Sequence, residues 1–153
     1  MCYIKTDISV CDDTLDFGFM QVRSKSALKN LENCDEAIVF AATVGIELDR
    51  AIAKYSALSQ AKALILQAIG TERIESLCDM FCKEISAEMA ALNKGVKNRF
   101  SPGYGDFSIE TQRDIFRILK PLNKMGVFLN ESLLMSPSKS VTAIIGIYNR
   151  DKV

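Results

Sequence analysis

The chain has 153 residues, 19 Lys and Arg against 19 Asp and Glu, a formal net charge of zero and no histidine. One domain spanning 1–153 is expected at this length, and the evenly spread charge leaves no electrostatic footprint for nucleic acid or an anionic membrane. The missing histidine removes the commonest general base near neutral pH, the imidazole metal ligand and every Ser-His or Cys-His nucleophile pair.

Tyr3 to Val10 alternates apolar and polar residues and predicts a strand, which Asp12-Asp13 turns. Leu15 to Val22 reads as a second strand with Gly18 as a bulge. Ser24 or Ser26 caps a short helix carrying Ala27, Leu28 and Leu31, ended by Asn33. Glu36 to Val44 is nearly continuous and apolar, as expected of a central strand covered on both faces. Gly45 then opens a helix to about Ala57, with Leu48, Ala51, Ile52 and Tyr55 on its buried side. The lone glycine after a strand reads as a joint rather than a ligand loop.

Ser59 caps the next helix, with Ala61, Leu64, Ile65, Ala68 and Ile69 at helical spacing until Gly70-Thr71 interrupts or bends it. The pattern resumes through Ile74, Leu77, Cys78, Phe81, Ile85, Met89 and Leu92. Glu75 lies off the centre of this stripe, near the start of the resumed helix. It is either a solvated carboxylate favoured by the helix dipole or one aimed at the loop that follows. Cys78 and Cys82 are four apart, but no second pair and no histidine complete a metal site. The five cysteines are read as free thiols of a cytoplasmic protein. No signal peptide or apolar run of membrane-spanning length appears.

Between this helix and a shorter one lies Arg99-Phe100-Ser101-Pro102-Gly103-Tyr104-Gly105. Its glycines and proline define a shaped loop. Arg99 brings a planar fork of donors suited to a carboxylate, and Tyr104 an aromatic face with a hydroxyl at its tip. Such a set suits a small zwitterion, although an ordinary helix-to-helix connection needs the same glycines. Ser108 then caps a helix with Ile109, Ile115, Phe116 and Leu119, closed by Pro121. Gly126 to Leu129 is a short strand, Ser136 to Ser140 a turn, and Val141 to Tyr148 the last strand. The order predicts an α+β fold, a twisted antiparallel or mixed sheet with a central helical segment packed on it.

Taken together, Arg99 to Gly105, Asn130-Glu131-Ser132 and Met135-Ser136-Pro137-Ser138-Lys139-Ser140-Val141 resemble the activation (reactivation) domain of cobalamin-dependent methionine synthase in its free-standing bacterial form. The similarity runs from about Phe17 to Tyr148 and includes Cys34-Asp35, Phe40 to Gly45, Leu58-Ser59 and Ala68-Ile69-Gly70. The resemblance implies that S-adenosylmethionine binds here. Arg99 would hold the methionine carboxylate, the backbone around Ser101 and Gly103 would approach the adenosine, and Tyr104 would line the groove. Glu75 matches a helix glutamate of the family, and Glu131 is a further candidate.

The family's reaction adds one electron to cob(II)alamin and methylates it from S-adenosylmethionine. Here cobalamin would reach the site only on a partner, a methionine synthase or related corrinoid protein, with a flavodoxin-like or other electron donor. Relative to the family the chain is short at its N-terminus, and Gly105-Asp106-Phe107 stands where fused enzymes continue Pro-Ala-Cys. Two rival expectations remain: a non-catalytic subunit or sensor with a decayed groove, and a self-sufficient S-adenosylmethionine-dependent methyltransferase. The second lacks the strand-glycine-helix fingerprint common among such enzymes.

Overall fold

The apolar run from Glu36 to Thr43 forms the strand around which the main sheet is built, and its six middle residues are buried. The computed structural model describes residues 1–152. In chain order the strands are β1 (Cys2–Asp7), β2 (Ser9–Cys11), β3 (Thr14–Asp16), β4 (Gln21–Val22), β5 (Glu36–Thr43), β6 (Lys94–Val96), β7 (Phe128–Leu129), β8 (Met135–Ser136) and β9 (Ser140–Asn149). The helices are α1 (Lys25–Asn30), α2 (Ile46–Leu58), α3 (Gln60–Ala90), α4 (Gln112–Leu119) and α5 (Pro121–Met125), with a 3-10 turn at Ile109–Thr111.

The main sheet is antiparallel in the order β1-β5-β9-β6, so the last strand lies inside it. Strand geometry sends alternate residues to opposite faces, which makes two cores. Ile38, Phe40, Ala42, Ala143, Ile145 and Ile147 meet Ile74, Cys78, Phe81, Ile85 and Met89 of α3. Ala37, Val39, Ala41 and Ile144 meet Ile115 and Leu119 of α4, Phe107, and the Leu15–Val22 region. The expected α+β arrangement is observed, with helices on both sides of the sheet. Glu36 ties its rows together, bonded to Lys5 of β1 at 2.6 Å and to Lys94 of β6.

Several expectations change. The strand expected over Tyr3–Val10 breaks at Ile8, whose amide bonds the Asp35 carbonyl at 3.0 Å. Asp12 and Asp13 form a two-residue turn with φ of 46° and 61°, the pairing a tight hairpin demands. Leu15 to Val22 is a hairpin rather than one strand. Phe17 donates to the Met20 carbonyl, and the Asp16 carboxylate accepts from the Gly18 amide at 2.6 Å, so Gly18 sits in a turn and not at a bulge.

The break expected at Gly70-Thr71 is absent, and α3 runs 31 residues without interruption. A Cβ at Gly70 would collide with Leu48 Cδ2 and come within 3.1 Å of Lys139 Cγ, so the glycine admits α2 and the β8–β9 turn against the helix. The expected stripe of Ala61, Leu64, Ile65, Ala68 and Ile69 is exposed, and Ala63 and Gly70 are the buried residues of that half. Leu92 is also exposed. No residue of α2 is fully buried; Leu48, Ala51, Ile52 and Tyr55 are half-buried. Pro121 does more than close α4, since it is the first residue of α5, where its fixed φ suits a helix start.

Candidate functional site

The loop predicted from its glycines and proline leaves β6 along the sheet edge. Phe100 exchanges two backbone bonds with Ile144, of 2.9 and 2.8 Å, which fixes where the loop departs. Beyond it the chain folds on itself: Gly103 donates to the Phe107 carbonyl at 2.7 Å, and the Phe100 and Phe107 rings stack with centroids 5.7 Å apart.

Asp106 pins this loop to α1. One carboxylate oxygen accepts from Ser24 Oγ at 2.6 Å and the Ser26 amide at 2.9 Å, the other from the Lys25 amide at 2.7 Å. These amides open α1 and have no partner within the helix. The Ser24 hydroxyl, together with the amides and Ser26, holds the Asp106 pKa well below its ordinary value. A Cβ on Gly105 would lie 2.6 Å from Ser26 Oγ, and its φ is 58°, so this position takes glycine because α1 is so close.

The loop forms one wall of a cleft of about 340 Å³ through Arg99, Phe100, Ser101, Pro102 and Tyr104. Glu75 comes to it from α3 and Gln112 from the first residue of α4. Met135 of β8 and Ser140, Val141 and Thr142 of β9 complete the lining. The volume lies in the range of small-molecule sites. The β9 side is fixed by α2 and β5: Asp49 of α2 accepts from the Ser138 amide at 3.1 Å and from its hydroxyl, while Ser140 Oγ meets Thr43 Oγ1 of β5 at 2.9 Å.

Of the residues singled out by sequence, Arg99, Ser101, Tyr104 and Glu75 meet at this cleft. Gly103 lies in the same loop but outside the lining. Glu131 is exposed in the turn between β7 and β8 and does not line it. Glu75 sits in the middle of α3, so a role at a helix N-terminus is ruled out. The Arg99 guanidinium donates to both Glu75 and Asp79, one turn apart on α3. Burial works against its charge, but hydrogen bonds with Asp79 and Cys82 outweigh this and raise its pKa. A ligand carboxylate would therefore have to share or displace a carboxylate already on the fork.

Gln112 and Thr142 carried no sequence signal: Gln112 opens a helix whose next residues, Arg113 and Asp114, are also polar, and Thr142 is one hydroxyl residue in a β-rich strand that also holds Ser140. They are only 4% and 2% exposed, and Gln112 Oε1 and Thr142 Oγ1 have no protein hydrogen-bond partner. A buried polar atom left without a partner costs about 1–3 kcal/mol. Both line the cleft. The five cysteines are free, and no cluster of His, Cys, Asp or Glu suited to a metal occurs among the described residues. No helix among them is long and apolar enough to cross a membrane.

An antiparallel sheet with a long helix on one face, and an edge loop closing a cleft against a second helix, defines the class of fold. A solved structure described as the MetH reactivation domain bound to AdoHcy has this fold, with a TM-score of 0.72 over 94% of the present chain. Sequence identity is 16%, and the chain spans 57% of that structure's length. No family model and no curated protein matches the sequence.

Proposed function

We propose that this protein binds S-adenosylmethionine in the cleft beside the Arg99–Gly105 loop and acts as a reactivation partner for a separate corrinoid protein. The partner would be a cobalamin-dependent methionine synthase or a relative of one. The observation that carries this reading is the coincidence of the loop resemblance with the cleft, in a fold shared with a reactivation domain that binds AdoHcy.

The residues fit such a ligand. Glu75 and Arg99 offer opposite charges to an amino-acid end, Phe100, Pro102 and Tyr104 offer flat apolar faces, and Gln112 and Thr142 offer neutral polar atoms. When bound, S-adenosylmethionine supplies a methyl group and leaves as S-adenosylhomocysteine, while a flavodoxin-like or other donor gives the corrinoid one electron. The task of this chain is to bind and orient, which requires no general base. That agrees with a sequence without histidine.

The test is calorimetric titration with S-adenosylmethionine of the wild type and Arg99→Ala. It is followed by corrinoid methylation, read by absorbance, with a methionine synthase lacking its own activation domain. Wild-type binding weakened at least about tenfold in Arg99→Ala, with methylation dependent on this protein, is the expected result. Absence of wild-type binding refutes the cofactor assignment. Binding without any stimulation of corrinoid methylation refutes the reactivation role alone.

A further inference from the structure

Gln112 and Thr142 are the part of the cleft lining to which the proposed function assigns no particular group of the ligand. Each is at least nine-tenths buried, each lines the cleft, and each carries an oxygen without a protein partner. Nothing in the fold requires polarity at either position. Thr142 stands on β9, where its neighbours Ala143, Ile144 and Ile145 are apolar, and Gln112 stands on α4, whose other buried residues are Ile115 and Leu119.

We infer that Gln112 and Thr142 read the base of the nucleotide-derived ligand, by hydrogen bonds to the uncharged donor–acceptor edge of adenine. This rests on the reading that the cleft takes S-adenosylmethionine or its product. An amide and a hydroxyl are both neutral, so the ligand part that meets them at such burial is neutral as well. That excludes the amino-acid end, for which the cleft has Glu75 and Arg99. A glutamine amide, with a donor and an acceptor side by side, matches the amino group and ring nitrogen of adenine. Phe100, Pro102 and Tyr104 in the same lining supply surfaces for a planar ring, and sugar hydroxyls have no need of them.

The test uses Thr142→Val and Gln112→Met, near-isosteric changes that delete the polar atoms. Calorimetry is run with S-adenosylhomocysteine and with S-inosylhomocysteine, in which a carbonyl replaces the base amino group. Thermal unfolding of the unliganded proteins is measured alongside. The wild type should prefer the adenine compound by about tenfold or more. Each variant should bind it about tenfold more weakly and lose most of the preference. Meanwhile the unliganded Tm should stay level or rise, because no protein partner is lost.

Variants that keep wild-type affinity and preference overturn the inference while leaving cofactor binding intact. A fall in unliganded Tm for Thr142→Val also overturns it, since that marks a structural hydroxyl. Weakened affinity with an unchanged adenine preference points to the sugar and overturns it too. A wild type that binds neither compound removes the cofactor reading and this inference together.

Discussion

Gly70 sits where α2, α3 and the β8–β9 turn meet, and its replacement by alanine sets two opposing effects against each other. Glycine in a helix interior costs about 1 kcal/mol relative to alanine, so the substitution should stabilise α3 by that amount. The new Cβ, however, collides with Leu48 Cδ2 and approaches Lys139 Cγ to 3.1 Å. Forcing a methyl into a packed contact costs about 1–3 kcal/mol. The net expectation is a destabilisation of about 0–2 kcal/mol in the wild-type background. With Leu48→Ala the collision is gone and only the flexible Lys139 stem has to give by a few tenths of an ångström, so Gly70→Ala should then stabilise by up to about 1 kcal/mol, or roughly 2–4 °C in Tm for a chain of this size. Urea denaturation of the four proteins closes the cycle, with an expected coupling of about 1–3 kcal/mol. An identical effect of Gly70→Ala in both backgrounds would refute the idea that α2 is seated through this glycine.

Three other perturbations have defined outcomes. Asp106→Ala should release the loop from α1, so the Lys25 and Ser26 amides exchange hydrogen faster and S-adenosylmethionine binds more weakly; unchanged exchange would sink the role of the carboxylate as a clamp. Hydrogen bonds from Lys5 and Lys94 hold the Glu36 pKa below its ordinary 4.5. Its contribution is therefore present above that value and lost as pH falls through the depressed folded value. Glu36→Gln should lower stability at neutral pH and flatten the acid limb of the stability profile, and parallel limbs for both proteins would count against it. Burial pushes the Cys34 and Cys78 thiols up to about 11, whereas Cys11 is exposed. A disulfide reagent at mildly alkaline pH should label Cys11 first and Cys34 and Cys78 only on unfolding, which peptide mapping reads directly.

The sequence made some of this legible for identifiable reasons. β5 announced itself because burial on both faces demands an unbroken apolar run, and the Arg99 loop because two glycines and a proline exclude regular structure. The first half of α3 misled because Leu64 and Ile65 are apolar yet exposed, while its buried residues are Ala63 and Gly70, too small to register as a stripe, with Gly70 against Leu48 of α2. The hairpin at Phe17–Met20 was hidden by its apolar character, and β6 by having only three residues, one of them glycine. Glu75 meets Arg99 across 24 positions of chain, and Asp106 meets Ser24 across 82. Neither pairing has a local signature. Gln112 and Thr142 matter for what they do not touch, and only a folded chain reveals that.

The position of β9 has a consequence for how the molecule is made. This strand lies between β5 and β6, yet residues 140–149 are synthesised after everything they pair with. Until they emerge, β5 presents an unpaired apolar edge, a template for association with other nascent chains, and the closure that ends this exposure is a long-range one. Ser140, Val141 and Thr142 belong to that same strand. The cleft is thus among the last features to form, and a chain arrested before Ser140 would keep the β1–β5 pair but lack the inner strand of the sheet and the β9 wall of the cleft together.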